Sequence, residues 1–198
     1  MSCAGTPLRR RRPLRALGRA AEGIAVVEFA FVASFLVLLY LGSVQLSDAI
    51  FANRKVTTTA RAITDLTTQY SVLTENDIQG ILLASGKALT PYNPANARIR
   101  ISQIAVGADG VGRVSWSRIR GEDITKLDRC AVVDVPEDLA IPNSFLIYGE
   151  VNYTYDPMFA AYAPGKIELA DEIFMLPRVS SSVSLLTSGA GGPETECS

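Results

Sequence analysis

The stretch AEGIAVVEFAFVASFLVLLY, residues 21–40, decides the architecture of this chain because it opens a long apolar run. From Ile24 to Leu46 the only acidic or basic side chain is Glu28. A helix of about 20 residues spans the hydrocarbon core of a bilayer. A buried helix of a soluble protein normally keeps a polar stripe, whereas large apolar residues occupy every face of this run. The sequence therefore predicts a membrane-spanning helix over residues 24–46, with a buried globular helix as the alternative.

The segment before this run is strongly basic. It contains a single acid, Glu22, and six arginines, which are Arg9, Arg10, Arg11, Arg12, Arg15 and Arg19. Cytoplasmic flanks of membrane helices carry such an excess of arginine and lysine. We therefore expect the N-terminus in the cytoplasm and the chain after Leu46 on the opposite side of the membrane. An RNA-binding arm is the less favoured reading, because no aromatic residues alternate with the arginines.

Two other targeting signals fit this N-terminal region less well. A mitochondrial presequence is also rich in arginine, but it does not normally run directly into a long apolar segment. The apolar core of a cleaved secretory signal has 7–15 residues and precedes a small-x-small site. This run is longer, and the only such site beyond it, at residues 47–49, is weak.

The formal net charge of −1 averages two regions of opposite sign. Residues 1–23 hold six basic groups and one acidic group, which leaves 13 basic and 19 acidic groups in the remainder, a net charge of −6. A basic leader therefore precedes an acidic body.

Gly23 and Glu28, on either side of the start of the apolar run, carry a family resemblance. A basic leader, Gly23, the segment IAVVEF and an apolar helix resemble a type IV prepilin. With the later FANRKV segment, the chain is similar to TadE/TadG-like proteins of the tight-adherence (Flp) pilus system, mainly over residues 19–70. The resemblance implies that a prepilin peptidase cuts between Gly23 and Ile24. One departure is Ile24, where many type IV pilins have Phe or Met.

The chemistry of this motif is consistent with cleavage. A glycine lets an extended backbone lie close to a protease. Cleavage would leave a positively charged amine on Ile24, one helical turn before Glu28. The Glu28 carboxylate, next to Phe29, could pair with this amine in its own chain or in a neighbouring subunit. The alternative is that Glu28 simply lies near the lipid headgroups.

The residues after Leu46 are expected to continue the helix as a stalk to about residue 70. Apolar side chains recur there at helical intervals, and we expect this face to pack on the chain's own globular domain; they are Ile50, Phe51, Val56, Ala60, Ile63, Leu66 and Tyr70. A second helix should begin at Thr74, which forms a capping pattern with Asp77, and end at TPYNP, residues 90–94.

The pattern then changes to period two, which predicts strands. RIRIS and RVSWSRIR flank a turn at GADG, residues 107–110, and three further segments, FLIYGEVNYTY, KIELADEIFML and RVSSSVSLL, alternate similarly. Residues 121–144 are predicted to form a long loop. We expect an α+β fold: a long N-terminal membrane-spanning pilin-like helix, a second short helix and a small antiparallel β-sheet domain. The predicted domains are a cleaved leader (1–23), a helix with its stalk (24–70) and an extracytoplasmic domain (71–198) with a flexible tail.

The cysteines divide by compartment. Cys3 lies in the leader, whereas Cys130 and Cys197 follow the predicted membrane helix, where disulfides persist. A Cys130–Cys197 bridge is the favoured pairing, and free thiols or an intermolecular bond remain open. The chain has no histidine, and so it lacks histidine bases and histidine metal ligands.

The sequence indicates a structural protein and not an enzyme. We expect no catalytic residue, cofactor or nucleic-acid partner. Trp116 and the tyrosines are expected to pack in the core and not to form a stacking platform for a ligand. Calcium binding in the 121–144 loop is a minor alternative. The resemblance implies a minor pilin or pseudopilin whose partners are a prepilin peptidase, TadE/TadF-like subunits, the short major pilin and the assembly platform of the bacterial inner membrane. A signal-anchored periplasmic enzyme or ligand-binding module is the second hypothesis.

Overall fold

A computed structural model describes residues 21–157 and 165–186. Two helices and seven strands follow in chain order: α1 (Ala21–Thr68), β1 (Val72–Thr74), α2 (Glu75–Ala88), β2 (Ala97–Val106), β3 (Gly112–Arg120), β4 (Val132–Val133), β5 (Ser144–Tyr155), β6 (Ile167–Met175) and β7 (Ser184–Leu186). The contacts divide the chain into two units, one ending at Val44 and one beginning at Gln45. The predicted α+β class, with a long apolar helix, a second helix and an antiparallel sheet, is confirmed.

The part of α1 that lies in the second unit buries one face in the core of that unit. Ala52, Val56, Ala60 and Ile63 recur at helical spacing and are almost fully buried. The predicted packing is thus confirmed for four of the expected residues, since Tyr70 also packs against this core, whereas Ile50, Phe51 and Leu66 are exposed. Threonines complete the buried face: Thr59, Thr64, Thr67 and Thr68.

A threonine can be buried on this face because its hydroxyl is satisfied within the helix. The Thr64 hydroxyl donates to the carbonyl of Ala60 at 2.7 Å, and the Thr67 hydroxyl donates to that of Ile63 at 2.8 Å. A buried hydroxyl that is hydrogen-bonded avoids most of its desolvation cost. The helical spacing of apolar residues therefore predicts only part of the packed face, because it does not include these threonines.

Helix α2 begins as the capping pattern predicts. The Thr74 hydroxyl accepts a hydrogen bond from the backbone N–H of Asp77, and the Asp77 carboxylate accepts one from the N–H of Thr74. These reciprocal bonds satisfy two backbone donors that a helix leaves without partners at its start. Ile78, Ile81 and Leu82 then face the same core as α1.

Strands β2 to β6 form a five-stranded antiparallel half-barrel in the order β4-β3-β2-β5-β6. The turn predicted at residues 107–110 joins β2 to β3, and the Gly110 N–H donates to the Gly107 carbonyl at 3.0 Å. Side chains on one sheet face meet α1 and α2, as the period-two pattern predicts; they include Ile99, Ile101, Trp116, Val151 and Tyr153. Trp116 is a core residue, so the packing prediction is confirmed.

Two segments differ from the sequence-based expectation. Only Ser184–Leu186 of RVSSSVSLL is a strand, and it pairs in parallel with β1 in a separate two-stranded sheet. The preceding residues turn because side chains of the large sheet hold the backbone of Val183: Trp116 Nε1 donates to its carbonyl at 2.8 Å, and Gln103 Oε1 accepts from its N–H at 2.6 Å. The loop predicted at residues 121–144 also contains β4 and a 3₁₀ turn at Glu137–Leu139.

Candidate functional site in the N-terminal helix

The predicted processing and assembly residues all lie in the first turns of α1. Gly23 and Ile24 are its third and fourth residues, and Glu28 follows Ile24 by one helical turn. Residues four apart lie on the same side of a helix, about 6 Å apart along its axis. The helix therefore places Ile24 and Glu28 on one side, and their pairing after cleavage stays a prediction. Phe29 lies on an adjacent face.

The apolar side chains of this region are uncovered by the rest of the described chain. Ile24 is 73% exposed and Phe29 is 71% exposed. The most apolar stretch of α1 is long and apolar enough to cross a membrane, and none of it is buried within the structure. Soluble monomers rarely expose a continuous apolar surface of this size. The composition and exposure of this helix therefore suggest a membrane anchor or a signal segment.

Gly23 has no structural role within the described fold. A Cβ atom added there would meet no other atom within 4 Å. Glycine also costs up to about 1 kcal/mol relative to alanine inside a helix. Within the described residues, neither packing nor helix stability requires glycine at this position. The helical backbone at Gly23 differs from the extended backbone that cleavage would require.

Within the second unit, a polar cluster on Asp48 joins α1 to the segment after α2 and to the end of β5. The two carboxylate oxygens of Asp48 accept hydrogen bonds from the hydroxyls of Tyr92 (3.0 Å) and Tyr155 (2.6 Å). The ring of Tyr92 also contacts Tyr153 and Tyr155 edge-on. Partial burial and the neighbouring Asp48 carboxylate raise the pKa of Tyr92 to about 12, and the same causes raise the pKa of Tyr155. Both phenols therefore stay protonated as donors.

The local sequence patterns do not predict this cluster. Tyr92 lies in the helix-ending segment TPYNP and Tyr155 in an alternating strand, and the two are 63 residues apart. The position of Asp48 alone could have indicated a polar contact, because it is the first charged residue after Glu28 and lies on a helix that is expected to pack against the globular domain. Its partners depend on the tertiary fold, which the local pattern does not contain.

The outer face of the sheet carries a second polar network. The Tyr148 hydroxyl lies 3.0 Å from Glu150 and 2.8 Å from Glu172, on neighbouring strands, and Arg100 pairs with Glu150. Burial, together with these two carboxylates, raises the pKa of Tyr148 well above its usual range. Within residues 21–157 and 165–186, no group of three or more acidic or cysteine side chains could hold a metal ion.

The predicted disulfide is not tested by the described residues. Cys130 is exposed on the loop before β4, with a left-handed backbone (φ 65°) and its N–H donating to the Val114 carbonyl at 2.8 Å. Cys197 lies outside the described residues, as do the tail and the leader with Cys3. The pairing stays a prediction.

Comparison with protein families supports the resemblance seen in the motif. Residues 23–65 match the model of the family described as TadE-like protein. No curated protein and no solved structure matches the chain. The chain therefore carries a TadE-like domain, which begins at Gly23 and contains Glu28. This domain and the apolar helix are consistent with a component of the tight-adherence pilus system.

Proposed function

We propose, from this TadE-like domain, that the protein is a minor pilin or pseudopilin, a structural subunit of a bacterial tight-adherence (Tad/Flp, type IVc-like) pilus. The observation that carries the proposal is the Gly23–Glu28 motif at the start of an uncovered apolar helix within that domain. The shaft pilins of such systems are very short chains. A globular domain as large as the one that follows Gln45 favours a minor subunit that primes, caps or tips a filament.

In this proposal, cleavage prepares the helix for assembly. A prepilin peptidase removes the basic leader after Gly23 and creates an amine on Ile24. That amine neutralises the Glu28 carboxylate, in the same or a neighbouring subunit, and so lowers the cost of the charge in lipid. The exposed apolar side chains then exchange lipid for the helices of other subunits.

The proposed topology follows from the charges around the helix. Six arginines hold the N-terminus in the cytoplasm, and the domain after Gln45 lies in the periplasm until the subunit leaves the inner membrane. The proposed partners are the prepilin peptidase, TadE/TadF-like subunits, the short major pilin and the assembly platform. In that oxidising compartment Cys130 pairs with Cys197. No catalytic role is proposed.

The N-terminus of the protein purified from its native cell tests this function. We expect it to be Ile24, and to revert to the uncut chain in a strain without prepilin peptidase. Gly23→Leu should remain uncut although the fold has space for the side chain. Phe31→Leu, in the same exposed helix, is the matched control and should be cut normally.

A second variant separates processing from assembly. Glu28→Ala should be cut and exported but should fail to co-purify with other pilus subunits. An uncut native chain, with ligand binding or activity in its periplasmic domain, would instead support the anchored enzyme or binding module.

A further inference from the structure

We propose that a groove at the start of the globular unit binds the phosphate headgroup of an anionic phospholipid. The groove has a volume of about 520 Å³ and is open to solvent; its lining residues are Asp48, Phe51, Arg54, Lys55, Thr58, Pro91 and Tyr92. This inference rests on the membrane anchoring in the proposed function, but it concerns a different part of the chain from the cleavage motif.

The groove combines cationic and apolar surfaces. Arg54 and Lys55 are both exposed, and Phe51 is 60% exposed beside them. Among the residues that the structure describes, Arg54 has no acidic partner, and the Lys55 ammonium donates only a long hydrogen bond, 3.3 Å, to the carbonyl of Ala88. These two cations are therefore available to an anion from outside the chain.

Asp48, the one acid that lines the groove, is already engaged. Its two carboxylate oxygens accept the hydroxyls of Tyr92 and Tyr155, which disperse its charge. With two available cations and one engaged carboxylate, the groove carries a net positive charge. A phosphate with an apolar tail complements this combination, because the phosphate can meet the cations while the tail contacts Phe51 and Pro91.

The position of the groove along α1 favours a lipid over a free solute. Arg54 follows Leu46, the last residue of the apolar run, by eight residues, or about 12 Å of helix. Headgroup regions extend roughly 5–8 Å beyond the hydrocarbon core on each side. Long cationic side chains reach back several ångströms toward such a surface, and basic residues next to a membrane helix attract anionic lipids.

Amine labelling of the purified full-length chain in lipid nanodiscs tests this proposal. The rate at which an amine-reactive reagent modifies Lys55 is measured by peptide mass spectrometry, with Lys126, in the loop after β3, as the internal reference. Nanodiscs of phosphatidylcholine are compared with nanodiscs that also contain phosphatidylglycerol. We expect the anionic lipid to slow the labelling of Lys55 about fivefold relative to that of Lys126. A factor of this size corresponds to the attraction of one cation for an anionic membrane surface.

Variants distinguish a specific site from general attraction. Arg54→Gln should abolish most of the Lys55 protection, whereas Arg61→Gln, an exposed arginine of the same helix outside the groove, should retain it. Equal labelling in both lipids would overturn the proposal, as would equal effects of the two variants. Equal protection by inorganic phosphate in phosphatidylcholine nanodiscs would also overturn it, because the site would then bind a solute. This assay does not depend on leader cleavage. A negative labelling result would therefore overturn the lipid proposal alone, and an uncut N-terminus would overturn the pilin proposal alone.

Discussion

The hydroxyl of Tyr155 lies 2.6 Å from Oδ2 of Asp48, although 107 residues separate them in the chain. This hydrogen bond joins the end of β5 to α1 close to the point where the apolar run stops. Tyr92 holds the other carboxylate oxygen, so three distant segments meet on one side chain. Within the second unit, Asp48 therefore links α1 to two segments that are distant in the chain.

Loss of the Asp48 charge should destabilise the globular domain. Hydrogen bonds to charged groups contribute about 1.5–3 kcal/mol, so we expect Asp48→Asn to lower the free energy of unfolding by about that amount. Urea unfolding of the detergent-solubilised chain, followed by the fluorescence of the single tryptophan, Trp116, measures the change. Asn53→Ala, at an exposed position of the same helix, should change stability by less than about 0.5 kcal/mol.

The same cluster should make stability sensitive to alkaline pH. The folded-state pKa of Tyr92 is about 12, above the value of about 10 for a free phenol. Its stabilisation is fully present below pH 10 and is lost as the pH rises through 12, because the unfolded chain then releases the proton more easily. Tyr92→Phe should flatten part of this alkaline decline. An unchanged pH profile in that variant would exclude Tyr92 as its source.

At Gly149 the sheet lies directly against α1. A Cβ atom there would lie 1.9 Å from Oγ1 and 3.2 Å from Cβ of Thr64, so in Gly149→Ala the Thr64 side chain, the helix or the strand must shift. Overpacking of this kind costs about 1–3 kcal/mol. Gly80→Ala is the matched control, because a Cβ at Gly80 meets no atom within 4 Å and alanine favours the helix. Equal unfolding midpoints for both variants would contradict this packing.

The backbone of Val183 should loosen when its side-chain partner is removed. Gln103→Leu keeps the size of the side chain but deprives the buried Val183 N–H of its acceptor, at a cost of about 1–3 kcal/mol. Hydrogen exchange should become faster in residues 183–186, with β2 and β5 unaffected. Ser102→Ala, at the adjacent position of β2, removes a different hydrogen bond, to Ser117, and should leave this exchange unchanged.

Local patterns predicted most of the elements, because their causes are local. The capping pair of Thr74 and Asp77, the turn at residues 107–110 and four of the five period-two strands depend on neighbouring residues, and the structure contains them. The Gly23–Glu28 spacing was likewise visible in the chain. The parallel pairing of β7 with β1 was not, because it depends on Trp116 and Gln103 holding Val183 from a distant sheet.

The β1–β7 pair also sets a constraint on when the globular domain can mature. Val72 and Ser184 are partners although 112 positions separate them, so this ladder closes only after the intervening chain has emerged. Long-range contacts of this kind slow folding, since a large loop must be ordered first. During synthesis, the chain therefore passes through an incomplete state. A chaperone has its longest opportunity to engage the unpaired β1 strand in that interval.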